Sequence, residues 1–123
     1  MGSVHEASCG CGYTTNVTVG GGRYNFHEKS LFPFYCMNCG LVHVNTAPLK
    51  KECTVTECPD CGDPNATQYG VAPVSRQTGL NTQRTASFAL EWGSRKAAKA
   101  GNLCPACRKM TLKFSDTPDL LFD

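Results

Sequence analysis

The chain has 123 residues and a formal net charge of +2, enough for one ordinary domain or two very small ones with a modest core. It contains no run of eighteen apolar residues, and its N-terminus has no basic start followed by an apolar stretch. Neither a membrane span nor a secretory signal is therefore read, and the expectation is a soluble cytoplasmic protein.

In chain order, Tyr13 to Val19 is rich in β-branched residues and reads as a strand. Gly20, Gly21 and Gly22 then form a turn, and the aromatic alternation at Tyr24, Phe26, Phe32 and Phe34 supplies a returning strand. Leu41 to Val44 reads as another strand. The stretch from Ala47 to Lys51 makes a junction. It divides the chain into a first unit, residues 1–50, and a second, residues 51–123. In the second unit, Val71 to Arg84 is a polar arm or loop. Thr85 to Ala100 is the helix candidate: Phe88 and Trp92 stand four apart, Ala97, Ala98 and Ala100 favour helix, and Gly101-Asn102 is a stop signal. Met110 to Phe114 reads as the last strand. The tail from Ser115 to Asp123 mixes acidic with apolar residues, a composition suited to docking on its own domain or in a partner's groove.

Nine cysteines are unexpected in a reducing compartment unless they hold metal. Eight of them form close pairs, Cys9/Cys11, Cys36/Cys39, Cys58/Cys61 and Cys104/Cys107, and Cys53 is odd. A tight CxxC turn presents two thiolates on one side of the backbone, so two such turns complete a tetrahedral Cys₄ site and four complete two. The residue after the second cysteine favours positive φ, which lets backbone N–H groups point at the sulfurs. Gly12, Gly40 and Gly62 occupy that place; Arg108 occupies it in the last pair, so that turn either tolerates the side chain or differs in detail.

The motifs CMNCG at 36–40, CPDCG at 58–62 and CPAC at 104–107 resemble the knuckles of the zinc-ribbon and rubredoxin-like families. The resemblance implies a small, metal-stabilised, mainly β fold. It would comprise two zinc-ribbon units of antiparallel hairpins, two Zn²⁺ ions, and Cys58, Cys61, Cys104 and Cys107 as ligands. Cys9-Gly10-Cys11 departs from the pattern by one residue. Sequential pairing, first pair with second and third with fourth, leaves 24 residues between Cys11 and Cys36 and 42 between Cys61 and Cys104. Loop-closure entropy favours it over an interleaved cross-brace. Four thiolates also suit a single iron, so a rubredoxin-like electron carrier is the rival reading. With Cys58 and Cys61, Cys53 has a spacing that resembles plant-type ferredoxins, but the paired knuckles leave it as a spare thiol.

His5, His27 and His43 read as surface or packing residues because eight cysteines already fill two tetrahedra. His43 is the one that alternation places near a metal. Closed Cys₄ sites leave no position to activate water, and no triad or HExxH motif occurs, so a non-catalytic adaptor is expected. Its partner would be protein or nucleic acid. The contact face would be Arg84, Trp92, Arg95, Lys96 and Lys99, in a region, residues 62–107, with a formal excess of +3. Eight thiolates and two Zn²⁺ would turn the formal +2 into about −2, so general affinity for nucleic acid is not expected.

Overall fold

Short, turn-punctuated segments with apolar residues at alternate positions build sheets, and the described residues form ten strands: β1 (Gly2–Ser8), β2 (Thr14–Gly20), β3 (Leu31–Cys36), β4 (Gly40–Asn45), β5 (Val55–Thr56), β6 (Ala66–Gln68), β7 (Phe88–Trp92), β8 (Arg95–Ala98), β9 (Lys113–Phe114) and β10 (Leu120–Phe122). The computed structural model describes residues 2–21, 28–50, 53–71, 74–75, 88–92, 95–115, 117–118 and 120–122. Eight strands form one sheet in the order β10-β1-β2-β3-β6-β5, with β4 also on β3 and β9 also on β1. All their pairings are antiparallel. Strand pairing runs across residue 50, because Phe34 and Tyr35 of β3 face Gln68 and Thr67 of β6.

Alternation works as the sequence implies. Val17 and Val19 of β2, Phe32 and Phe34 of β3, and Val42 and Val44 of β4 all enter one core, together with Tyr69, Leu90, Leu112 and Phe114. Tyr69 stands at its centre, edge-on to both Tyr35 and Phe114. Its buried hydroxyl donates to the Leu103 carbonyl at 2.6 Å. Asn102, also fully buried, donates to the carbonyls of Ala98 and Leu112 and accepts from Ser75 Oγ, which in turn accepts the Gly70 N–H. These bonds tie β8, the last cysteine turn and the segment at residues 74–75 into one unit.

The helix expected over Thr85 to Ala100 is not present. Phe88–Trp92 and Arg95–Ala98 form an antiparallel hairpin, with Glu91 facing Lys96 and Trp92 facing Arg95. Residues 85–87, 93 and 94 lie outside those described. The physical reason is tertiary packing: Arg95, Ala97 and Ala98 are buried with Lys96 only partly so, and the segment is held by cross-strand pairing with β7. Helix propensity gives way to tertiary packing.

The tail docks on its own chain, with Leu120, Leu121 and Phe122 pairing with Val4, Ser3 and Gly2. Among the described residues no helix is long and apolar enough to cross a membrane.

Close approach explains one glycine. Gly70 has φ +102°, and a Cβ built on it would lie 1.9 Å from the Lys96 carbonyl oxygen.

Candidate metal centres

Each cysteine pair sits where an antiparallel ladder turns. Cys9 and Cys11 lie at the tip of β1–β2, closed by Ser8 facing Thr14. Cys36 and Cys39 lie at the tip of β3–β4, where Cys36 faces Gly40. Cys58 and Cys61 lie between β5 and β6, and Cys104 and Cys107 lie in a turn closed by the Asn102–Leu112 bridge.

Two of the CxxC turns share one hydrogen-bond pattern: Gly62 N–H donates to Cys58 O while Cys58 N–H donates to Asp63 O, and Arg108 and Lys109 do the same around Cys104. The CxC turn repeats it with one residue fewer, Gly12 N–H to Cys9 O and Cys9 N–H to Tyr13 O. The missing spacer therefore shortens the loop without changing its design.

Positive φ occurs at Gly12, Gly40 and Gly62 as expected, and at Arg108 too, so the last turn keeps the same backbone and tolerates the side chain. At Arg108, φ is 60°, a left-handed conformation that costs an L-residue with a Cβ about 1–2 kcal/mol. Arg108→Gly is therefore expected to raise stability by about 0.5–1 kcal/mol, after the extra unfolded-state freedom of glycine is subtracted. A urea midpoint that rises with an unchanged slope would show it, and an unchanged or lower midpoint would contradict it.

The eight paired cysteines gather into two sets of four, Cys9/Cys11/Cys104/Cys107 and Cys36/Cys39/Cys58/Cys61, with all sulfurs of a set within 4.8 Å of one another. Tetrahedral ligands about 2.3 Å from an ion stand about 3.8 Å apart. The sulfurs of Cys9 and Cys107 are 3.6 Å apart, those of Cys11 and Cys104 3.7 Å, and those of Cys36 and Cys61 3.5 Å. Both sets could hold a metal ion.

The pairing is neither sequential nor interleaved. It is nested: the second and third pairs form an inner set, and the first and fourth form an outer set that closes around it. Sheet pairing is the cause. Ala7 and Ser8 of β1 face Phe114 and Lys113 of β9, which carries the fourth turn to the first. The β3–β6 contact does the same for the second and third. The two sets also meet, since a Cβ on Gly40 would lie 3.0 Å from Pro105 Cβ. A hollow of about 270 Å³ opens beside that contact, lined by Tyr13, Tyr35, Met37, Leu41, Pro105 and Arg108.

Within each set the thiols are unlike. The backbone N–H of Cys11, helped by the Thr111 hydroxyl, pulls Cys9 down to about 6. A backbone N–H at Asp63 pulls Cys61 down to about 7, and one at Lys109 lowers Cys107. Burial pushes Cys104 up to about 11 and also raises Cys36, while hydrogen bonding with Cys61, followed by burial, pushes Cys39 up to about 12. Thiols of the second kind surrender their protons to an entering cation, so loading is linked to proton release.

Cys53 joins neither set. It is half-buried, its thiol donates to the Val55 carbonyl at 3.2 Å, and its own carbonyl accepts from Arg95. His5 is buried, with Nδ1 donating to Ser115 O and Nε2 accepting from Ser3 Oγ. His27 lies outside the described residues. His43 belongs to neither sulfur set; its Nε2 accepts the Thr18 N–H at 2.9 Å, joining β4 to β2.

Burial holds the His43 pKa below its ordinary value, against a weaker opposing pull from Asp60. The unfolded chain therefore binds this proton first as pH falls. The histidine's contribution to stability is complete above about pH 6.5 and is lost as pH drops through the folded-state value. An NMR titration of the imidazole is expected to show a midpoint below 6.5, and one at or above it would contradict the buried-acceptor role.

The face read as a partner surface is altered. Arg95 is buried, its guanidinium donating to the carbonyls of Lys50 and Cys53 and to Gln68 Oε1, so it is a structural tie unable to reach a ligand. Nothing in its sequence neighbourhood distinguishes it from Lys96. Lys96 lies outward, 3.3 Å from Glu91, and Lys99 is exposed. Trp92 packs partly against the core, and Arg84 lies outside the described residues.

No family model matches this chain, and comparison with curated proteins and solved structures also finds no match.

Proposed function

We propose that the protein is a non-catalytic adaptor whose two Cys₄ sets each hold a structural Zn²⁺, in the manner of zinc-ribbon knuckles. The observation that carries this reading is the gathering of eight sulfurs from four hairpin turns into two sets with tetrahedral spacing. Four thiolates complete a tetrahedron and leave no position for a substrate or an activated water, which favours a structural over a catalytic metal. Zinc is preferred over iron because it is held by thiolates without redox demands, although four thiolates also accept iron.

Elemental analysis and an absorption spectrum of protein purified without added metal test the metal. Two zinc ions per chain and no visible band are expected. Two irons with visible charge-transfer bands would replace this reading with a rubredoxin-like electron carrier, and the absence of bound metal would sink both.

The adaptor's partner is protein or nucleic acid, met on the β7–β8 hairpin through Lys96, Lys99 and the exposed part of Trp92. Salt titration of binding to single- and double-stranded nucleic acid separates the two. Affinity that falls steeply with salt and is weakened in Lys96→Ala/Lys99→Ala assigns nucleic acid, and no binding at low salt removes nucleic acid from the reading.

A further inference from the structure

The two sulfur sets differ in what surrounds them. Beside the outer set, Thr111 Oγ1 lies 3.0 Å from Cys9 Sγ and 3.7 Å from Cys107 Sγ. Those sulfurs come from the two different turns that the set joins, the β1–β2 tip and the Cys104–Cys107 turn. The side chain is exposed, so burial does not account for its placement. The inner set is approached otherwise: the Asp60 backbone N–H reaches Cys58 Sγ at 3.4 Å, and Asn38 Nδ2 lies 3.9 Å from Cys61 Sγ while donating to Asp63 at 3.1 Å. Only the outer set, among the described residues, has a side-chain hydroxyl against its sulfurs.

Four thiolates around a divalent cation carry a net charge of −2, spread over the sulfurs. A donor aimed at one of them lowers the charge there and makes that sulfur a poorer target for a proton. A hydroxyl has one proton and a free rotor, so it can serve whichever of the two sulfurs holds more charge, with Cys9 favoured by distance.

We propose that Thr111 is a positioning residue for the outer metal ion: its hydroxyl donates to the Cys9 thiolate, with Cys107 as the alternative acceptor, and thereby slows loss of the ion from the outer set. The inference rests on the reading that this set holds a divalent ion. Its chemistry is independent of which divalent ion is bound, and the inner ion does not depend on it.

The test uses the full chain loaded with cadmium or zinc, in wild-type, Thr111→Val and Thr111→Ser forms. Valine keeps the shape and removes the hydroxyl, and serine keeps the hydroxyl. In Thr111→Val, the cadmium resonance coupled to Cys9, Cys11, Cys104 and Cys107 is expected to shift while the other stays in place. One of the two zinc ions should pass to a chromophoric chelator about tenfold faster. Thr111→Ser should restore both readouts. If Thr111→Val retains two ions with wild-type resonances and release rates, the inference is overturned and the metal reading stands. Equal changes in Thr111→Val and Thr111→Ser would also overturn it, because they would trace to packing rather than to the hydroxyl. A wild-type chain that takes up no ion at the outer set overturns both.

Discussion

Removing the metal from the loaded protein is expected to unfold it. The strands are short: β5 and β9 have two residues each, and β6 and β10 have three. Three of the four hairpin tips that would otherwise fray are the cysteine turns joining paired strands of the main sheet. A domain of this size is stable by about 5–15 kcal/mol in total, whereas binding of one structural zinc at a Cys-rich site is worth about 10–16 kcal/mol at neutral pH. Two such terms exceed anything the core can supply alone. Chelation, verified by elemental analysis, should therefore collapse the dispersion of the ¹H–¹⁵N spectrum and remove the β signature from circular dichroism. A metal-free chain that keeps a dispersed spectrum would mean that the core of Phe32, Phe34, Tyr69 and Phe114 suffices by itself.

Gly70→Ala is expected to be the most damaging single substitution outside the cysteines. An added Cβ would meet the Lys96 carbonyl oxygen at 1.9 Å and its carbon at 2.9 Å, and both are backbone atoms that cannot rotate away. Strand β8 cannot retreat easily, since Arg95 at its start is bonded to three groups and Asn102 holds the Ala98 carbonyl just beyond its end. Positive φ adds about 1 kcal/mol or more, and overpacking about 1–3 kcal/mol. A loss of roughly 3 kcal/mol in the loaded protein, read as a melting point lower by about 10 °C, is the expected result. Gly10→Ala is the control. Nothing lies within 4 Å of a Cβ there, and the change should stay within about 0.5 kcal/mol. Equal melting points for the two variants would show that β8 yields to the methyl group.

The four cysteine pairs were legible as metal turns because a knuckle is local. A CxxC turn and the residue after it fix two sulfurs and one backbone angle without reference to the rest of the chain, so Gly12, Gly40 and Gly62 could be read in place, whereas at Arg108 the side chain left the angle open until the structure gave it. Strands β2 and β4 were legible for the same reason, their valines alternating over a few residues.

Which turns share an ion is a property of the sheet, and loop closure could not reveal it. The nested arrangement leaves 18 residues between Cys39 and Cys58 and 92 between Cys11 and Cys104. On a logarithmic law its summed closure cost lies within about 0.5 kcal/mol of the sequential one. A difference that small is outweighed by the pairing of β1 with β9 and of β3 with β6, non-local contacts that the sequence does not announce.

The β7–β8 hairpin was misread for a different reason. Phe88, Trp92 and the alanines satisfy a helical count, but Gly93-Ser94 between them is also a two-residue hairpin signal. Burial of Arg95 against carbonyls 27 to 45 positions away then removed a cation from the surface where composition had placed it.

The nested arrangement of the sulfur sets is tested most directly by loading the full chain with ¹¹³Cd and correlating each cadmium with the cysteine β-protons. Two signals are expected, one coupled to Cys9, Cys11, Cys104 and Cys107 and the other to Cys36, Cys39, Cys58 and Cys61. A cadmium coupled to both Cys9/Cys11 and Cys36/Cys39 would contradict the nested sheet and restore two successive ribbons.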